Sequence, residues 1–171
     1  MSVIKKIDPE FGFAANPLEF RRAVSLFATG IAVVSCDGYD GEICGMTVNS
    51  FTSISLEPPT VVVSLKAGKT HRVISRRGGY GVSVLTQEQE SYSKHFSGRP
   101  QEALAPEFVV RENIPTLKNS LAWFECVTVN CIQIHDHTLF VGRVAACGSS
   151  EGHPLMFFAS KSHQSALSLA P

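Results

Sequence analysis

Hydrophobic and polar positions change rhythm several times along the chain, and each change marks an element. In NPLEFRRAVSLFATG, the apolar residues Phe20, Val24 and Phe27 recur at helical spacing on one face. Asn16 is placed to cap this helix, Pro17 suits its first turn, Glu19 falls at the capping-box position, and Gly30 is the expected stop. GIAVVSC then reads as a strand and DGYDGE as a hairpin loop. ICGMTVNSFTSIS continues as one long strand or a bent pair. Pro58 and Pro59 interrupt the ladder, because neither has a backbone N–H to give. TVVVSL beyond them has the uniform apolar character of a buried strand.

A short helix is expected in GKTHRVISRRGG, with Thr70 as cap and Gly78 or Gly79 as stop. YGVSVL is another strand, and TQEQESYSKHFSG a second capped helix with Thr86 and Gln89 in capping-box spacing. ALAPEFVVRENIPTLKN is expected to be a long surface connection with one short strand. FECVTVNCIQI and HTLFVGRVAAC close the pattern as two long strands joined around HDH. Residues 1–15 read as a poorly anchored lead-in, and 16–171 as a single domain. Many strands, a few helices and no regular β–α alternation point to a mainly β fold: a closed or nearly closed antiparallel barrel.

Composition narrows the functional classes. With 171 residues, 44% of them hydrophobic, the chain suits one substantial core. Fifteen basic and fifteen acidic residues cancel, so no broad field draws the protein to nucleic acid or an anionic membrane. No apolar run approaches the roughly 20 residues of a membrane span, and the first residues lack the apolar core of a signal peptide. The five cysteines are an odd number without a C-x-x-C pair, which fits reduced, mostly buried thiols in a cytoplasmic protein.

Chemistry-bearing patterns are few. His135 and His137, with Cys126, Cys131 and Cys147 nearby in sequence, lack a zinc-type spacing, so no metal site is expected. AGKTH imitates the end of a P-loop, but Val63 stands where that motif needs glycine. What remains is a helix N-terminus carrying Lys66, Lys69 and Thr70, which suits either a phosphate or solvent. There is no G-x-S-x-G elbow for a hydrolase, and Cys44 reads better as a small buried thiol than as a nucleophile. One segment stands out. GMTVNSFTSIS crowds Thr47, Asn49, Ser50, Thr52, Ser53 and Ser55 onto strand-like sequence. Such uncharged donors and acceptors suit a planar heterocycle or a sugar alcohol, and equally suit hydroxyls bonding their own backbone around a bulge.

Six blocks in order decide between these readings: FRRAVSLFATGIAVVS, GMTVNSFTSISLEPPTVVVSL, YGVSVL, HFSG, HDHTLFVGRV and PLMFF. Together they resemble the short-chain flavin reductases of two-component flavin-dependent monooxygenases, from about Leu18 to Phe158. The resemblance implies an FMN-binding split barrel of six antiparallel strands in Greek-key order, and a homodimer with flavin near the subunit interface. It also implies NAD(P)H-dependent reduction of FAD or FMN, with NADH or NADPH as donor and a separate monooxygenase receiving the reduced flavin. No residue of the protein serves as catalytic acid, base or nucleophile in this chemistry.

Carried over to this chain, Cys44, Gly45, Met46, Thr47, Val48 and Asn49 border the isoalloxazine and ribityl chain, and Ser50, Ser53 and Ser55 complete that wall. Ser64, Leu65 and Lys66, with Lys69 and Thr70, meet the phosphates, and Phe96 lies against the outer part of the nucleotide. Arg21 and the turn Asp136, His137 and Thr138 serve the nicotinamide donor. The chain departs from many relatives at its end, where PLMFFASKSHQ puts His163 near the usual place of an aromatic. Two other readings stay open: a split-barrel enzyme that holds its FMN tightly and acts on another substrate, and a non-catalytic flavin-binding protein.

Overall fold

The computed structural model describes residues 15–164. Helix α1 (Pro17–Ser25) opens them, and the Asn16 carboxamide caps it by accepting from Leu18 N at 2.9 Å and Glu19 N at 3.4 Å. It ends before Leu26, earlier than the expected stop at Gly30, and none of its residues is buried. The chain continues through β1 (Thr29–Gly30), β2 (Ala32–Asp37), β3 (Ile43–Val48), β4 (Thr52–Leu56), β5 (Pro59–Lys66), α2 (Lys69–Arg77) and β6 (Gly79–Val84). A 3-10 turn at Gln87–Gln89 leads into α3 (Glu90–Phe96), and then come β7 (Phe108–Val110), β8 (Pro115–Leu117), β9 (Ala122–Ile134), β10 (His137–Ser149), β11 (Leu155–Phe158) and β12 (Lys161–Gln164). The Thr86–Gln89 capping box is present. Helix α2 is capped differently from the expectation: Gly68 is its N-cap, and Thr70 lies inside the first turn and is buried.

The principal sheet is antiparallel, with order β3-β2-β6-β9-β10-β5-β4. That is seven strands, where the sequence led to six, because Ile43–Leu56 breaks into two. Ser50 makes the break: its hydroxyl donates to Ser64 O and accepts from Ser64 N, each at 3.0 Å. The three residues Asn49–Phe51 thus turn the chain from one edge of the sheet to the other, so the sheet is strongly curled. Two small sheets, β1-β11-β12 and β7-β8, flank it. The expected connection from Ala103 to Asn119 therefore carries two short strands rather than one.

Strand β2 is buried on both faces, which explains its uninterrupted apolar run. Val34 and Cys36 point into one cluster with Val63, Leu65, Tyr80, Val82, Cys126 and Phe140, while Val33 joins Ile31, Leu85, Leu117 and Leu155 in another. Buried hydroxyls tie the short strand β8 to the sheet. Ser35 donates to Pro115 O at 2.6 Å, and Ser83 accepts from Leu117 N at 2.8 Å. Buried Glu125 accepts from Glu112 N at 3.2 Å and Asn113 N at 3.0 Å, which fixes the turn between β7 and β8.

Candidate functional site

Helix α3 lies along the edge strand β3, held there by the Thr47 hydroxyl donating to Ser93 O at 2.8 Å. At its end Phe96 covers Gly45 so closely that a Cβ there would stand 2.6 Å from the ring. Two adjoining clefts result, and both are lined by Thr47 and Ser97. The first, about 610 Å³, runs along Cys44–Thr47 to Lys69 and Thr70, under Phe96. The second, about 540 Å³, continues past Val48 and Asn49 between α3 and β12, with Lys94, Arg99 and Lys161 on its walls. One face of the combined groove is apolar (Met46, Phe96, Phe157), and the rest is hydroxyl, amide and charged groups, with Glu90 paired to Lys94 at 3.0 Å.

Within this groove the polar segment divides by role. Asn49 is exposed, and its carboxamide has no hydrogen-bond partner among the described residues. Ser50 is engaged with the Ser64 backbone. Ser55 closes a local turn, donating to Glu57 O at 3.2 Å and accepting from Glu57 N at 3.1 Å. Ser53 and Ser55 sit on the edge strand β4, and neither lines the two clefts of the single chain. Leu65 is a core residue.

The two lysines of the candidate phosphate loop already have carboxylate neighbours. Lys69 Nζ lies 3.2 Å from Glu42 and 3.8 Å from Asp40, both on the β2–β3 hairpin. The hydrogen bond that Lys69 donates to Glu42, with nearby Cys44 and Asp40 adding to it, holds the ammonium pKa above the usual lysine range. Lys66 Nζ lies 3.5 Å from Asp136, since the register pairs His137 with Lys66. All five side chains are exposed, so these pairs are weakly held and open to exchange for a phosphate.

At the hairpin tip His137 Nδ1 meets Asp136 Oδ1 at 2.9 Å, and this bond holds the Asp136 carboxyl below its ordinary pKa. Thr138 is buried and donates to Gln133 Oε1 at 2.8 Å. The Nε2–H of His71, 2.8 Å away, donates to the Thr138 hydroxyl and so ties α2 to the hairpin. Arg21 stands apart on exposed α1, whose end accepts a hydrogen bond from Ala159 N through Ser25 O at 2.7 Å. Sequence reasoning missed the cationic wall of the second cleft and His71. SKHFSGR carried a signal for the first, with Lys94 and Arg99 around a helix end; nothing in the sequence pairs His71 with Thr138. Cys126, mentioned with the histidines above, is buried, and burial pushes its thiol up to about 12.

The family model for the flavin reductase like domain matches residues 24–166. The chain belongs to this family. It is 52% identical to StyB, an NADH-dependent flavin reductase of Pseudomonas fluorescens, over 88% of this chain and 91% of the relative. The solved styrene monooxygenase flavin reductase SMOB from Pseudomonas putida S12 superposes with a TM-score of 0.83 at 52% identity, covering 88% of this chain and 99% of the other. A Streptomyces globisporus C-1027 NADH:FAD oxidoreductase, SgcE6, solved with NAD and FAD fragments, superposes at 0.80 and 27% identity, covering 97% and 99%. The groove suits such ligands on chemical grounds. It offers an apolar ceiling for a planar ring, a free amide at the strand end, and exposed cations, among them Arg99 and Lys161, for phosphate oxygens.

Proposed function

We propose that the chain is an NADH-oxidising flavin reductase that reduces free FAD or FMN and releases the product to a separate monooxygenase. The observation that carries this reading is the groove along Cys44–Asn49, built on the segment of highest resemblance and joined to the cationic α3–β12 cleft. The 52% identity to two reductases, one of them named for styrene monooxygenase, supports an oxygenase as recipient.

Bound flavin supplies the hydride acceptor and bound nicotinamide the donor. The protein contributes binding and orientation, which account for most of the rate in such a transfer. The β3 backbone and Asn49 present donors to the ring edge, Phe96 and Met46 exclude water from one side, and Lys69 with the uncapped first turn of α2 takes phosphate charge. Ser64–Lys66 shape the approach to that turn, and Ser50 locks the strand corner. Ser53 and Ser55 on β4 complete the wall in the assembled dimer. Arg21, Asp136, His137 and Thr138 serve the donor. The barrel is read as the six-stranded Greek-key core of the split-barrel fold, with the β3–β4 corner accounting for the extra strand.

A steady-state experiment tests the proposal: NADH oxidation should rise with added free flavin and saturate. NADH oxidation that ignores added flavin, by a yellow purified protein, would favour tightly held FMN acting on another substrate. A coloured protein that oxidises no NADH would favour storage.

A homodimer is part of the same reading. Leu18, Phe20 and Phe27 on and after α1 are 77%, 61% and 74% exposed, apolar surface that a second copy would cover. Light scattering at micromolar concentration should give a dimer, and Phe20→Glu with Phe27→Glu should give a monomer. A fully active monomeric parent would overturn this. No helix among the described residues is long and apolar enough to cross a membrane, and a cytoplasmic location accords with the three buried free thiols.

Two site predictions belong here. Lys69→Ala should raise the apparent Michaelis constants for FAD and FMN several-fold more than that for riboflavin, which has no phosphate. Equal effects on all three would return Lys69 to its pairing with Glu42. His137→Ala should raise the Michaelis constant for NADH and leave flavin affinity intact. Stopped-flow reduction identical to the parent at every NADH concentration would assign His137 to the turn alone.

A further inference from the structure

We propose that Cys36 and Cys44 are a dithiol–disulfide pair, oxidised by hydrogen peroxide arriving through the first cleft, and that closing the pair slows flavin reduction. The two residues are direct partners in the β2–β3 ladder, so their side chains leave the same face of the sheet. Two residues further along, Gly38 N donates to Glu42 O at 2.9 Å, which marks that pair and the Cys36–Cys44 pair as hydrogen-bonded positions. Such positions hold Cα atoms about 5.5 Å apart, inside the span of a disulfide. Neither sulfur is committed elsewhere. Each makes one weak contact, Cys36 to Thr70 O at 3.9 Å and Cys44 to Glu42 O at 4.0 Å.

Access separates their roles. Both are buried, Cys44 5% and Cys36 1% exposed, but Cys44 lines the first cleft and Cys36 lies behind it. Burial, with Cys44 beside it, raises the Cys36 thiol to about 12, so it does not compete for peroxide, and its place opposite Cys44 in the ladder is what brings it to the second step. The Cys44 thiolate attacks one peroxide oxygen, the O–O bond breaks, and sulfenic acid and hydroxide form, the latter taking up the thiol proton as water. The Cys36 sulfur then attacks the Cys44 sulfur, the S–O bond breaks, and the hydroxyl leaves with the Cys36 proton as a second water. Two thiols are oxidised and one peroxide is reduced.

The regulatory half rests on the flavin reductase reading: reduced flavin that meets oxygen before an oxygenase yields hydrogen peroxide. The link would then tether β3 at the residue before Gly45, where Phe96 leaves no slack, and stiffen the floor of the groove. The reductase would be slowed by the waste of its own product.

The test uses the full chain, without NADH or flavin. Graded hydrogen peroxide is added, free thiols are alkylated, and the protein is cleaved after Tyr39 or Glu42 without reduction. The expected product joins the Cys36 and Cys44 peptides, with the loss of two hydrogens, and a dithiol reverses it. NADH-dependent flavin reduction should fall roughly threefold or more in the linked protein. Cys36→Ala should keep the parent's activity and lose its sensitivity to peroxide; should it not fold, mapping of the parent decides. Alkylatable Cys36 and Cys44 after the exposed Cys131 and Cys147 are consumed would overturn the proposal, as would Cys44 sulfinic acid without a link. A link that leaves turnover unchanged would overturn the control. A link in a chain with no flavin reduction at all would instead refute the functional reading and leave the pair standing.

Discussion

Asn49→Leu is expected to weaken binding of oxidised FAD and FMN by about 1–3 kcal/mol, roughly 5- to 150-fold. Asn49 follows β3 at the point where the second cleft begins, and the Ser50 bonds to Ser64 fix the backbone beside it. Its carboxamide is exposed and unpaired among the described residues, so in the free protein water satisfies it. Leucine has nearly the same size and breaks no internal bond, so folding should be little affected. The loss falls on the complex, where a ligand edge facing leucine is desolvated without a partner. Fluorescence titration with each flavin, with circular dichroism as the control for folding, measures it. Parental affinity in a folded variant would remove Asn49 from the site.

The largest effect on stability is expected at Gly81. This residue sits in mid-sheet, paired with Ser35 on one side and Glu125 on the other. A Cβ there would stand 2.4 Å from Pro115 O and 2.9 Å from Thr116 Cγ2. Pro115 O cannot retreat cheaply, because it accepts the buried Ser35 hydroxyl and β8 is anchored again through Leu117 N on Ser83. Gly81→Ala must therefore push β8 outward and strain two buried hydrogen bonds. We expect a loss of about 3 kcal/mol, or a fall in Tm of roughly 6–12 °C. Denaturant unfolding is the direct measurement. A change under about 0.5 kcal/mol, the range of ordinary surface substitutions, would mean that β8 is not held as described.

Local rules carried the sequence reading wherever a few neighbouring residues decide the outcome. Asn16 and Pro17 start α1, Thr86 and Gln89 form their box, and Gly78 takes the left-handed conformation that ends α2. The apolar run at Ala32–Cys36 is buried on both faces, as its lack of alternation implied. The same logic misplaced the cap of α2. Thr70 has the right chemistry, but its side chain packs inward, and Gly68 takes the N-cap position with no side-chain bond of its own.

The polar segment shows where local rules stop. Sequence alone fixed that a strand edge here carries hydroxyls and an amide in place of core residues, and its resemblance fixed the family. Only the tertiary structure separated Asn49, open to the cleft, from Ser50, engaged with a residue fourteen positions away, and from Ser55, occupied with its own turn. The cations facing the groove from α3 and β12 are distant in sequence and meet only because β1, β11 and β12 form a small sheet beside α3. Cys36 and Cys44 are likewise set opposite by a hairpin register that neither specifies. Capping, turn chemistry and burial periodicity act over a few residues and can be read from a string. Which donors remain free, and which groups share a cavity, depends on hydrogen bonds and packing between segments, and these exist only once the sheet has curled.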